Sequence, residues 1–322
     1  MQGLVTVFGG GGFVGRHAVR ALAKRGHRVR VAVRRPNLIP ELRVMGDVGQ
    51  IELVQANLRH EDSVRQALQG ADAAINLVGI LYPSGPQSFR SVHEEGPGLV
   101  ARLATEAGVA RLVHMSAIGA DATSDSRYAQ SKAAGEAAAR AGFPGLSIVR
   151  PSIVFGPEDD FFNRFAAMAS VSPVLPLIGG GTTRFQPVYV ADVAQVLADL
   201  AEGPARAGET FELGGPTVYT FKALLELINL VTGRNRPLLP VPWPVAGLIG
   251  AVGDIQSAIL PMPPVLTSDQ VRLLKSDNVV SAGAQGLSAF GVTPTPAESI
   301  IRSYLWRFRN DGQFAEALGE GA

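Results

Sequence analysis

Seven residues near the amino terminus constrain this chain more than any other feature. Gly9-Gly10-Gly11-Gly12-Phe13-Val14-Gly15 lies between an apolar run at 4–8 and a segment in which Val14, Ala18, Ala21 and Leu22 recur at helical spacing until Gly26. An apolar run ending in glycines reads as a buried parallel strand, and the spacing that follows reads as a helix. Glycine permits the tight turn and lets backbone amides approach a pyrophosphate, while the helix N-terminus adds free N–H groups and a favourable dipole. Two registers fit: Gly10, Gly12, Gly15 as G-x-G-x-x-G, and Gly9, Gly12, Gly15 as G-x-x-G-x-x-G. A glycine loop alone is a weak signal, but between a strand and a helix it becomes a dinucleotide fingerprint, with Phe13, Val14 and Arg16 completing its lining.

The alternation continues. Segments 29–33, 51–54, 73–78, 112–115 and 146–149 predict strands, and 62–68, 98–107 and 128–141 predict helices. The expected fold is α/β: a doubly wound parallel sheet, or Rossmann fold, over residues 1–155. After Pro151, glycine and proline become denser and the pattern loosens. A strand at 185–190 and a helix at 192–200 suggest a segment near 185–202 returning to the first unit. Further elements are expected at 210–213 (strand) and 221–231 (helix), and residues 156–322 make a smaller, irregular C-terminal lobe.

Composition removes several kinds of function. The net charge of +1 gives no field that would attract nucleic acid. There is no cysteine, which excludes disulfides, thiolate metal sites and a cysteine nucleophile. Histidines 17, 27, 60, 93 and 114 show no paired ligand spacing, so no metal is expected. The start of the chain lacks a signal-peptide pattern, and no run of roughly 18 apolar residues follows. A cytoplasmic protein is expected.

In such sheets ligands bind beyond the carboxyl ends of the strands. Position therefore assigns Asn57 and Leu58 to the adenine, Leu77, Val78 and Gly79 to the adenosine ribose, and Pro151, Ser152 and Ile153 to the nicotinamide end. For Leu77 and Val78 ordinary core packing is the competing reading. After the second strand, where an acidic residue would select NAD, the chain carries Arg34-Arg35. Either guanidinium suits a 2′-phosphate, so NADP(H) is expected over NAD(H), although solvated surface arginines would look the same.

Tyr128-Ala-Gln-Ser-Lys132 sets a phenol and an ammonium four apart on one helix face. In hydride-transfer chemistry a lysine beside a tyrosine lowers the phenol pKa and binds ribose hydroxyls. The glycine turn, Ser116 at the end of the fifth strand, this pair, and the segments Arg150-Pro-Ser-Ile-Val-Phe-Gly156 and Gln186-Pro-Val-Tyr-Val-Ala-Asp-Val193 resemble the short-chain dehydrogenase/reductase superfamily in its extended or atypical branches. The resemblance covers nearly the whole chain. Met45-Gly-Asp-Val-Gly-Gln50, Ile75-Asn-Leu-Val-Gly79, Ser126-Arg-Tyr128 with Lys132-Ala-Ala-Gly-Glu136, and Phe155-Gly-Pro-Glu-Asp159 are similar, more narrowly, to the nucleotide-binding accessory subunit family of respiratory complex I (alpha-subcomplex subunit nine). The narrower resemblance implies NADPH held as a structural cofactor, at the junction of the membrane and hydrophilic arms near the quinone site.

Active members of the extended branch carry a serine or threonine just after the fifth strand. Here Val113-His-Met-Ser-Ala117 puts Ala117 at that position and Ser116 one residue before it. Alanine cannot stabilise a developing oxyanion. A one-residue shift would restore Ser116 to that role, and Ser124 and Ser126 are further candidates. Residues 237–266 hold a single charged residue, Asp254, in an apolar stretch. Composition favours core; as surface the stretch would mark a protein or membrane interface.

Three readings follow. The first is an NADP(H)-binding accessory or assembly protein of complex I, peripheral on the cytoplasmic face of the inner membrane and touching it through 237–266. The second is an NAD(P)-dependent reductase, dehydrogenase or epimerase on a sugar-nucleotide, steroid-like or quinone-like substrate, with Tyr128 as acid/base, Lys132 as its pKa modifier and Ser116 as polariser. The third is a redox sensor without turnover.

Overall fold

Leu4, Val5, Val7 and Phe8 are all buried, as a strand covered on both faces requires. They belong to β1 (Gln2–Phe8) in the computed structural model, which describes residues 2–203, 206–259, 264–310 and 312. Around β1 stand β2 (His27–Val33), β3 (Ile51–Gln55), β4 (Ala73–Asn76), β5 (Arg111–Met115) and β6 (Ser147–Pro151). The sheet order is β11-β6-β5-β4-β1-β2-β3, where β11 is Thr210–Leu213, and every pairing is parallel. The chain winds outward from β1 to β3, then crosses back to β4 on the other side of β1. The strand order reverses there, between β1 and β4, and it is beyond the carboxyl ends of strands at such a switch point that open sheets of this kind form their ligand crevice.

Helices cover both faces. α1 (Phe13–Lys24) turns Val14, Ala18 and Leu22 onto Val5 and Val7, in one cluster with Val193, Val196 and Leu197 of α6 (Val190–Glu202). The opposite face carries α2 (Glu61–Leu68), α3 (Gly96–Glu106) and α4 (Arg127–Gly142), whose Val64, Leu68, Val100, Leu103 and Ala139 pack with Phe8, Ala74 and Ile148. The expected Rossmann fold is present.

The second lobe is built from short pieces: β7 (Val154–Phe155), α5 (Phe161–Val171), β8 (Leu175–Ile178), β9 (Arg184–Phe185), β10 (Val188–Tyr189), β12 (Tyr219–Thr220), α7 (Phe221–Thr232), β13 (Leu238–Val241), α8 (Trp243–Ile259), α9 (Ser268–Leu273) and α10 (Ala297–Leu305). Phe155, Phe162, Phe185 and Phe221 anchor its core with Leu224, Ile228 and Ile301. The single strand expected at 185–190 is two. β9 pairs antiparallel with β12, and β10 pairs parallel with β7. Pro187 stands between them and has no N–H to continue a ladder. The strand at 210–213 leaves this lobe and adds to β6 at the edge of the main sheet.

Two local features differ from the expected pattern. A single π-helical turn, Arg90–Glu95, precedes α3, which starts at Gly96. The segment at 45–50, which carried the narrower resemblance, is a plug below the sheet. Its Gln50 side chain is buried, donates to the carbonyls of Ala23 (2.7 Å) and His27 (2.9 Å), and accepts from the Asp47 amide (2.8 Å). It sits at the amino ends of β2 and β3, at the opposite end of the sheet from the glycine turn.

The edge of the sheet is fastened by charge. Arg150 of β6 donates twice to Glu136 of α4, at 2.8 and 2.6 Å, and stands 3.6 Å from Glu212 of β11. Glu136 is buried. Arg150→Met leaves that carboxylate without its partner, and removing one member of such a pair costs about 3 kcal/mol. The expected result is a lower urea midpoint at unchanged slope. An unchanged midpoint would contradict this account of the edge.

Candidate functional site: the carboxyl ends of the strands

The glycine turn has one register. Gly9 takes φ +77°, donates to the Ala32 carbonyl, and accepts from the Gly12 amide. Gly12 is the extended residue that caps α1, with φ −79° and ψ 176°. At Gly15 a methyl group would lie 2.3 Å from the Gly9 carbonyl oxygen and 2.6 Å from the Gly10 Cα. Helix and strand therefore touch backbone to backbone, and Gly9, Gly12, Gly15 is the working set. A methyl group at Gly12 would find only the Gly9 oxygen, at 3.4 Å, so the space above the helix N-terminus is open. A negative group entering there meets unbonded first-turn N–H groups, which is the cradle a pyrophosphate needs. Phe13 and Val14 form the first turn. Arg16 folds back over it, donating to the Gly11 carbonyl at 3.2 Å and to Glu158 at 3.2 Å.

The other expected residues line up along the same end of the sheet. Arg34 and Arg35 are exposed just past β2. Asn57, past β3, is half-buried, its carbonyl accepting from Ser63 Oγ and its side chain accepting from the Arg59 amide; Leu58 beside it is buried. Leu77 and Val78 are half-buried and Gly79 is exposed, past β4. The Val78 amide donates to the Asn76 side chain at 3.2 Å, and Val78 packs against Gly9 across the crevice. Pro151 is buried and Ile153 half-buried, past β6. Ser152 is buried, but its hydroxyl is bonded to Asn278 from the second lobe, at 2.7 Å to the side chain, and is unavailable to a ligand.

Tyr128 is the second residue of α4 and is half-buried; Lys132, one turn on, is buried and donates to the Met115 carbonyl at 3.0 Å. Lysine was expected to lower the phenol pKa. Burial instead pushes Tyr128 up to about 12, and burial brings the Lys132 ammonium down to about 8, against a pull upward from Glu136. Ser116 is buried, and its Oγ has neither solvent access nor a hydrogen-bond partner among the described residues. Ala117 follows it, half-buried. The two reserve hydroxyls are engaged: Ser126 Oγ caps α4 and donates to Asp269, and Ser124 Oγ accepts from the Ser126 amide.

Two residues of the site were not anticipated. Asp269 of α9 accepts from Ser126 Oγ (2.8 Å) and from the amides of Arg127 (2.7 Å) and Tyr128 (2.9 Å). An anion from the second lobe thus sits on the N-terminus of the helix that carries Tyr128, where the dipole favours it. His93 lies against Tyr128 at 5.4 Å between ring centres. A lone acidic residue 141 positions further on gave no local signal of its role.

Residues 5–214 match the NAD dependent epimerase/dehydratase family, and the chain belongs to it. It is 35% identical to a mitochondrial protein of Arabidopsis thaliana, NADH dehydrogenase (ubiquinone) 1 alpha subcomplex subunit 9, over 99% of this chain and 82% of that one. It is 32% identical to a ceramide reductase of Caulobacter vibrioides, over 90% of this chain and 91% of that one. Its fold resembles the UDP-glucose 4-epimerase of Thermus thermophilus, solved in complex with NAD, with a TM-score of 0.68 at 21% identity over 95% and 99% of the two chains. That likeness bears on the fold alone.

Two outcomes test the site. Gly15→Ala must separate packed backbone and is expected to cost about 2 kcal/mol or more in urea unfolding, whereas Gly12→Ala costs about 1 kcal/mol or less yet weakens NADPH binding at least about tenfold by calorimetry. Equal effects of the two on stability would refute the register. The lowered Lys132 pKa means that the folded state gives up its proton first. Its penalty is fully present below pH 8 and is relieved as pH rises to 10.5. Stability of the wild type relative to Lys132→Met should therefore rise by about 3 kcal/mol over that window; a flat difference would contradict the burial of a charged amine.

Proposed function

We propose that this chain holds NADP(H), in preference to NAD(H), as a fixed part of its structure, and serves respiratory complex I as an accessory or assembly component at the membrane surface. The observation that carries the reading is the missing hydroxyl beside Tyr128. Ala117, just past β5, would stand where active members of the extended branch meet the substrate oxygen, and Ser116 Oγ is sealed from solvent. Removing one oxyanion donor lowers turnover on the order of a hundred- to a thousandfold. The glycine turn, Tyr128 and Lys132, by contrast, are all present in the chain.

The backbone from Gly9 to Gly15 would hold the pyrophosphate. Arg34 or Arg35 would take the 2′-phosphate; both are exposed and neither forms an ion pair among the described residues. Asn57 and Leu58 would flank the adenine, and Leu77, Val78 and Gly79 the adenosine ribose. Tyr128 and Lys132 would hold the nicotinamide ribose, with Ser116 behind them and Pro151 and Ile153 against the nicotinamide. When bound, such a group supplies hydride chemistry. The chain's own contribution is to bind and orient it.

The surface contact is supported by α8. Composition favoured core for 237–266, but Val245 (48% exposed), Leu248 (68%), Ile249 (41%), Val252 (60%) and Ile255 (62%) form one outward apolar stripe. Residues 260–263 of that segment lie outside the described ones. The opposite face is fixed: Ala246 is buried, Gly250 lies against the backbone of Ser268, and Gly253 against the Leu266 carbonyl. No helix among the described residues is long and apolar enough to cross a membrane. The stripe suits docking on a membrane-proximal protein surface or in the headgroup region, and such contiguous apolar exposure marks an interface. Relatives named as complex I subunits support the same partner.

A second reading is favoured by the retained Tyr128–Lys132 pair and by the relative named a ceramide reductase: an NAD(P)H-dependent reductase in which Tyr128 moves the proton. Native purification from the source organism with mass spectrometry separates the two. NADPH and complex I subunits copurifying in fixed ratio are expected. Empty protein that turns over added NADPH with a long-chain carbonyl substrate would sink the first reading and support the second.

A further inference from the structure

His93 is buried, and every polar atom of its ring is used. Nε2 accepts from the Ile80 amide at 2.9 Å, so the ring proton is on Nδ1. Nδ1 stands 2.9 Å from Ser131 Oγ, whose own hydrogen goes to the Tyr128 carbonyl at 2.7 Å. The three hydrogens therefore run one way: from Ile80 N–H to His93, from His93 to Ser131, and from Ser131 to the backbone of Tyr128. The ring faces are used as well. Phe89 stacks on one side at 5.3 Å and 22°, and the Tyr128 ring meets His93 edge-on at 5.4 Å and 86°.

The local backbone is arranged for this. His93 sits in the π-helical turn Arg90–Glu95, whose extra residue re-aims a side chain relative to an α-helix. Its carbonyl lies where a methyl group on Gly135 of α4 would be, at 1.7 Å, so the turn and α4 touch directly. Burial, and then the charge of Lys132, hold the imidazole neutral, with its pKa brought down to about 3. A second ring proton would point a donor at the Ile80 donor, so the chain exists only with the neutral ring.

We infer that His93 is a positioning residue of the dinucleotide site, tying the loop after β4 to the first turn of α4 so that the ribose-lining backbone at 77–80 and the Tyr128 phenol are held at one fixed separation. The inference rests on the dinucleotide reading proposed above. It assigns no proton transfer to His93, since neither ring nitrogen is free.

Three variants test it in the full-length protein, titrated with NADPH by calorimetry and by the emission of the bound nicotinamide. His93→Phe fills the space and keeps the stacking but makes no hydrogen bond, and is expected to weaken NADPH at least about tenfold and shift the emission. His93→Gln keeps an acceptor for Ile80 and is expected to stay within about threefold of wild type. Ser131→Ala removes both the acceptor of His93 Nδ1–H and the donor to the Tyr128 carbonyl while leaving the Ile80 bond, is compatible with the helix, and is expected to weaken binding about threefold or more, which keeps the test alive if His93→Phe does not fold. A merely structural role predicts losses that follow melting temperature in all three, with no rescue by Gln. Wild-type affinity in His93→Phe or Ser131→Ala, or Gln as weak as Phe, overturns the inference while leaving dinucleotide binding in place. Wild type that binds neither NADPH nor NADH removes the reading it rests on, and the inference falls with it.

Discussion

The backbone contact between Gly15 and the Gly9–Gly10 turn fixes the rest of the molecule. Because no Cβ fits there, α1 starts directly over the end of β1, with the N-terminus of the helix at the carboxyl end of the sheet where β1 and β4 part in winding direction. The chain reverses its winding direction at β1, which makes this end of the sheet the topological switch point. The same joint brings Gly9 against Leu77 and Val78, so the turn, the β4 loop and the helix N-terminus pack together. Polar residues that would meet a ligand are then placed by strand ends alone, which is why they are scattered in sequence and close in space.

The second lobe contributes by holding those strand ends. Asn278 takes the Ser152 hydroxyl and donates to the Ile118 carbonyl at 3.3 Å, closing the gap between β5 and β6. Asp269 caps the helix of Tyr128 from the same side. The face that leads to Asp269 is unusual for a helix pair: Gly250 and Gly253 let α8 lie against the segment entering α9, and Asp254 accepts from the Ser268 amide at 3.2 Å. The exposed stripe of α8 and the capped end of α4 are thus two ends of one packed unit. Contiguity alone does not make them coupled; coupling would require that the unit has a second arrangement.

The sequence carried the sheet and its helices well, because buried parallel strands and amphipathic helices leave periodic traces over many residues. It carried the glycine turn for a sharper reason: Gly9 takes a positive φ and Gly15 admits no Cβ, while Gly12 leaves the space above α1 open. The π-helical turn left no such trace, since one extra residue in a helical pattern looks like ordinary drift, and His93 was read only as a residue without metal-ligand spacing. Composition alone favoured core for 237–266, because it measures how apolar a segment is and not what covers it; the resemblance pointed to surface, and Leu248, Val252 and Ile255 of α8 are exposed. The strand at 185–190 was split by Pro187, which the apolar run around it obscured. The phenol of Tyr128 was expected low because its charged neighbour was counted and its desolvation was not. Burial acts on both groups, raising the acid and lowering the base.

Those opposite shifts bear on what the site is suited to do. A phenol held near 12 is a poorer proton donor than a free one, and an ammonium near 8 is easier to neutralise. Neither change harms binding, since a neutral phenol still donates to a ribose oxygen and Lys132 keeps its charge at neutral pH. Chemistry asks for more: a matched acid and an oxygen-facing hydroxyl. On the reading proposed above, the first is detuned by burial and Ala117 takes the place of the second, while Ser116 Oγ is buried without a partner among the described residues. Both departures would reduce transition-state stabilisation and would leave ground-state contacts to a dinucleotide in place. On that proposed reading, the asymmetry is the one expected of a fold in which holding the dinucleotide matters more than using it.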